Sequence, residues 1–97
     1  MRNESIKFLQ TLINTPSPSG HETRGQRVWL DYVQQYADET FTDAYGNAVA
    51  IFNKGGLPRI MLAGHADEIA MAVNFINPEG YIYVRNVGGV DPAITKA

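Results

Sequence analysis

His65 and Asp67 are the pair in this chain whose types and spacing could bind a metal ion. They end an apolar run, Arg59-Ile60-Met61-Leu62-Ala63-Gly64-His65-Ala66-Asp67-Glu68-Ile69. In extended backbone, residues two apart point to the same side. That would put the imidazole and the carboxylate on one face at the exit of a buried strand. A metal-ligating histidine uses one ring nitrogen, and its other N–H is held by a carboxylate in just this way. Spacing alone favours a plainer reading, a histidine hydrogen-bonded to an aspartate for structural reasons, because a catalytic zinc takes three or more protein ligands.

Other constellations read as structure. The second histidine, His21, falls in the first turn of an expected helix, where the dipole disfavours a protonated ring, so it reads as a solvated surface residue. Glu68 adjoins Asp67, but neighbours in a strand face opposite ways, which points to a structural role. A glycosidase reading of those two carboxylates fails on the same geometry, since such pairs face each other about 5 Å or more apart. Asp43, Gly46 and Asn47 lack EF-hand spacing and read as a tight turn. Gly88-Gly89 has no G-x-G-x-x-G or P-loop lysine beside it, and reads as a turn at a domain junction. Trp29, Tyr32, Tyr36 and Phe41 read as core.

The elements around the pair follow from periodicity. Ile6, Leu9, Leu12 and Ile13, with Phe8, make an apolar stripe and predict a helix over about 4–14. Pro16 and Pro18 break it. Ser19-Gly20-His21-Glu22 has the S-x-x-E form of a capping box, so a second helix is expected from there to about Ala37, burying Val28, Trp29, Tyr32, Val33 and Tyr36. Strands are expected at 39–43, 48–52, 60–63, 69–76 and 81–87, with a turn at Asn77-Pro78-Glu79-Gly80. Ile60 to Ala63 has the continuous apolar character of a central strand covered on both faces. Two helices followed by about five strands suit an α+β piece, or one flank of an α/β domain.

The 97 residues are 44% hydrophobic and 19% charged, with a net charge of −2 and no cysteine. Disulfides and thiolate metal sites are excluded, and a reducing cytoplasm fits. The absence of a basic stripe argues against nucleic acid. No apolar run approaches the roughly 18 residues of a membrane span, and the amino terminus has no signal core. A soluble cytoplasmic protein is the expectation. The carboxyl end, 86–97, carries neither a closing helix nor a final strand, which reads as a piece of a larger protein.

Taken in order, several motifs resemble one family. They are Leu9-x-x-Leu12, Thr15-Pro16-Ser17-Pro18-Ser19-Gly20-x-Glu22, Asp43-x-x-Gly46-Asn47, Ile60-Met61-Leu62-Ala63-Gly64-His65-x-Asp67-Glu68-Ile69 and Val87-Gly88-Gly89-Val90-Asp91-Pro92. Together they resemble the amino-terminal part of the glutamyl and deblocking aminopeptidases, co-catalytic metallopeptidases that assemble as tetrahedral particles. The related dipeptidase and carboxypeptidase group also carries H-x-D after a strand, but Asp67-Glu68-Ile69 and Gly88-Gly89 fit the aminopeptidases better. Ala70 departs from a common glycine, and Ala66 from a larger apolar residue; neither prevents ligation.

The resemblance implies an α/β zinc-exopeptidase domain with a mixed sheet between helices, leading into an inserted β-rich dimerisation domain. Residues 1–75 would be the amino-terminal part of the catalytic domain, and 76–97 the start of the inserted one. It implies two divalent metal ions, zinc or cobalt, with His65 a metal ligand and Asp67 the catalytic-site carboxylate that orients it. The bridging aspartate, the general-base glutamate and the other ligands would lie further along the polypeptide, so this chain alone is expected to be inactive. The implied activity is release of amino-terminal residues from peptides by a homo-oligomer built from dimers, with no nucleic-acid or membrane partner. The alternatives are a related dipeptidase or deacylase, and a non-catalytic homologue serving assembly or binding.

Overall fold

The computed structural model describes residues 2–95; Met1, Lys96 and Ala97, the outermost residues of the two expected domain segments, lie outside them. Helix α1 spans Asn3–Ile13 and α2 spans Thr23–Val33. Strands follow at Glu39–Thr42 (β1), Ala48–Ile51 (β2), Ala70–Ile76 (β3) and Ile82–Val87 (β4), then a 3-10 turn at Pro92–Thr95. The strands form two separate antiparallel pairs, β1 with β2 and β3 with β4. The mixed sheet between helices is not present among the described residues.

Helix α1 and the four strands form within a residue or so of where the pattern placed them, because their signals are local, whereas α2 stops at Val33, short of the expected end near Ala37. In α1, Phe8 turns toward α2 and stacks on Tyr32 with ring centroids 4.0 Å apart; Tyr36 meets Tyr32 edge-on at 5.8 Å. The Asp43 turn closes β1 on β2. Its carboxylate accepts the Tyr45 and Asn47 backbone N–H groups at 2.9 Å and the Asn47 side-chain amide at 2.8 Å. The hairpin β3–β4 turns through Asn77 to Gly80, where the Gly80 N–H donates to the Asn77 carbonyl and the Asn77 side chain accepts the Tyr81 N–H. Its register shifts between Val73 and Phe75, so Asn74 is bulged out of the ladder. The hairpin runs through position 76, where the second segment was expected to begin.

Two expectations need correcting. Ile60 to Ala63 is not a strand: residues 59–67 have no ladder partner, and Ile60, Met61 and Leu62 are 80%, 88% and 94% exposed. Apolar character suits a chain to a sheet interior, but a strand exists only by hydrogen bonding to a neighbour, and none of the described residues supplies one. The second helix also begins later than the capping box would place it, at Thr23, with no side-chain cap at its N-terminus.

The described residues bury little. Val33 is the one apolar side chain among them that is buried, and Ile6, Leu9 and Ile13 of the α1 stripe are exposed. Tyr36 and Phe41, expected in the core, are also exposed. The Cα radius of gyration is 17.7 Å, with extents of 60 × 32 × 21 Å. A compact domain of this length would have about 13 Å. The apolar faces are formed but not yet covered.

Candidate functional site

The histidine and the aspartate do meet. His65 Nδ1 lies 3.1 Å from Asp67 Oδ1 and 3.0 Å from the Asp67 carbonyl oxygen. Both neighbours are acceptors, so Nδ1 is the ring nitrogen that donates. The imidazole is 86% exposed and the Asp67 side chain 38%. Nε2, the ring nitrogen turned away from Asp67, is the one through which His65 could ligate. The two residues come together although the segment joins no sheet, because a contact between i and i+2 needs only locally extended backbone.

Asp67 is held from a second direction. The Ser19 hydroxyl donates to Asp67 Oδ2 at 2.5 Å, across 48 residues of sequence. That bond, and then the His65 imidazole, keep the Asp67 carboxyl below its ordinary range, against partial desolvation, which pushes it up. Sequence reasoning missed Ser19 as a site residue, having assigned it to a helix cap. The other half of that box stays local: Glu22 Oε1 accepts the Gly20 N–H.

Glu68 holds the same loop two residues earlier, at Ser17. Its Oε1 accepts the Ser17 N–H at 2.8 Å, and its own N–H donates to the Ser17 carbonyl at 2.9 Å. A parallel bridge joins Pro18 to Glu68. Ser17 is buried against Gly25 of α2, where an added Cβ would overlap its hydroxyl oxygen. Thus α2 supports the loop, and the loop supports the segment that carries the pair. The two hydrogen bonds to Ser17 tie Glu68 to the loop.

An open cleft of about 340 Å³ lies over the pair, lined by Ser19, His65, Asp67 and Glu68 on one side and by Val87, Gly89 and Val90 on the other. The end of β4 and the glycine pair therefore reach the site. His21 is exposed and takes no part. Among the described residues, no three histidine, cysteine, aspartate or glutamate side chains come together as a metal cage. The donor chemistry at His65 fits one ligand of a divalent metal and no more. No described helix is long and apolar enough to cross a membrane.

The sequence pattern of the M42 glutamyl aminopeptidase family matches residues 46–97. A lysyl aminopeptidase of Pyrococcus furiosus is 39% identical over 87 residues, covering 89% of this chain and 25% of that protein. A putative LysW-lysine/LysW-ornithine hydrolase of Thermococcus kodakarensis is 32% identical over 88 residues, covering 91% of this chain and 25% of its own. Among solved structures, the TET aminopeptidase of the marine sediment archaeon Thaumarchaeota archaeon SCGC AB-539-E09 superposes with a TM-score of 0.74 at 34% identity, over 90% of this chain and 24% of that one. The chain spans about a quarter of the length of these relatives.

Proposed function

This chain belongs to the M42 glutamyl aminopeptidase family, and from that premise we propose that the whole polypeptide is a metal-dependent aminopeptidase releasing amino-terminal residues from peptides. The observation that carries the proposal is the His65–Asp67 contact, which engages Nδ1 and leaves Nε2 of an exposed imidazole to meet a metal. Asp67 fixes the tautomer and the ring plane, and raises the basicity of the ligating nitrogen. A divalent ion, zinc or cobalt, when bound supplies Lewis acidity to the scissile carbonyl and to the attacking water.

The second ion of a pair, the remaining ligands and the proton-transferring glutamate would come from sequence beyond residues 1–97, since this chain spans about a quarter of its relatives' length. Assembly as a homo-oligomer belongs to the same proposal, supported by likeness to a TET aminopeptidase. So does a β-rich dimerisation domain inserted beyond 75. A cytoplasmic site of action is proposed too, from the cysteine-free composition, and cell fractionation tests it. A second reading, hydrolysis of another amide in the manner of a deacylase, is favoured by likeness to a putative LysW-lysine/LysW-ornithine hydrolase.

In the full-length polypeptide, hydrolysis of aminoacyl-p-nitroanilides is expected to vanish with chelator and return with zinc or cobalt. His65→Ala should remove one metal equivalent and most of the activity. Asp67→Asn, nearly isosteric, should weaken zinc binding about 10–100-fold. Unchanged metal stoichiometry in His65→Ala would remove that residue from the site. Chelator-resistant turnover would end the proposal.

A further inference from the structure

We infer that Ser19 is a positioning residue for the His65–Asp67 pair, and that position 88 is glycine so that Ser19 can reach it. The consequence for metal affinity rests on the reading of His65 as a ligand; the positioning itself does not.

A carboxylate held through one oxygen keeps the broad rotation of a terminal carboxyl torsion. Here both oxygens are engaged, by two separate segments: Oδ1 by His65 Nδ1 at 3.1 Å and Oδ2 by Ser19 Oγ at 2.5 Å. An ionised carboxylate only accepts, so the serine is the donor. Short O–H···O⁻ bonds of this kind are roughly twice as strong as neutral ones. With both ends fixed the carboxylate plane is fixed, and with it the imidazole that leans on Oδ1.

Ser19 can do this because its loop is pinned two residues earlier. Glu68 holds both the N–H and the carbonyl of Ser17. Consecutive residues 67 and 68 thus clamp positions 19 and 17, the first through a side chain and the second through the main chain. The alternative employment for Ser19, capping α2, is not taken up: the helix begins at Thr23 without a side-chain cap.

The third member is the turn after β4. Gly88 has φ +78, in the left-handed region that glycine enters freely. A Cβ there would overlap the Ser19 hydroxyl oxygen and lie 2.9 Å from Ser19 Cβ. Any side chain at 88 would therefore push the serine off the aspartate. The loop at 16–20, the H-x-D segment and the glycine pair meet at one hydrogen bond.

The test uses the full-length polypeptide with zinc as the probe, and nitrogen-15 imidazole spectra of the metal-free form. Ser19→Ala should accelerate solvent exchange of the His65 Nδ1 proton several-fold and raise the zinc dissociation constant about tenfold, the lower end of the range for groups that orient a ligand. Ser19→Thr, which keeps the hydroxyl, should stay near wild type. Because Ser19 acts through Asp67, adding Ser19→Ala to Asp67→Ala should change neither readout further. Amide protection at Asn47, in the distant Asp43 turn, should be the same in all variants. Wild-type proton exchange in Ser19→Ala would overturn the inference, as would Ser19→Thr behaving like Ser19→Ala, or full additivity with Asp67→Ala. Should His65→Ala keep its metal, the ligand reading falls, and the proton-exchange result still decides the role of Ser19.

Discussion

Gly25→Ala isolates the support beneath the site. Alanine in place of glycine in a helix gains at most about 1 kcal/mol in intrinsic propensity. The new Cβ, however, would overlap the Ser17 hydroxyl oxygen and lie 3.3 Å from Ser17 Cβ. Ser17 is buried and its hydroxyl donates to the Thr15 carbonyl at 3.1 Å, a bond with a net contribution of about 1 kcal/mol. Overpacking of this kind costs about 1–3 kcal/mol. The loss therefore outweighs the gain, by about 1 kcal/mol, and it falls on a loop whose main chain holds Glu68 at 2.8 and 2.9 Å. Native-state hydrogen exchange at the Glu68 amide, in the full-length polypeptide, should accelerate on the order of fivefold. In a Ser17→Ala background the overlapping atom is gone, and the same Gly25→Ala change should be neutral or slightly protective. Equal acceleration in both backgrounds, or protection by Gly25→Ala alone, would refute the claim that this glycine exists to seat Ser17.

Two further outcomes are expected. The Asn47 side chain, and then its backbone N–H, hold the Asp43 carboxyl below its ordinary range. The turn therefore gains stability from Asp43 above the unfolded value of about 3.9 and loses it as pH falls through the lower folded value. Amide protection at Asn47 should vanish in that acid window in wild type, and its pH dependence should disappear in Asp43→Asn; loss of protection already at pH 6 would contradict this. The isolated 97 residues, with Val33 as their one buried apolar side chain among those described, should melt without cooperativity, bind zinc weakly and cleave no peptide. A monodisperse monomer with a sharp melt would show that these elements suffice as a domain.

The sequence determined much of what depends on neighbours within a few residues. The α1 stripe, the Asp43 turn, the Asn77-to-Gly80 turn and the β3 and β4 segments lie within a residue or so of where periodicity placed them, because helix faces, turns and strand alternation are local properties. The His65–Asp67 contact was legible for the same reason, being a relation between i and i+2. Family membership was legible too, through the order of motifs. Long-range partners decided the rest. Ser19 and Glu22 look like a capping box, yet α2 begins at Thr23, so Ser19 is out of the cap position, and its hydroxyl donates instead to a carboxylate 48 residues away. Gly88 reads as a mere turn until the fold sets it against Ser19. The apolar run at Ile60 to Ala63 has the composition of a central strand, but composition supplies no ladder: hydrogen bonds to a neighbouring chain make a strand, and within the described residues that neighbour is absent.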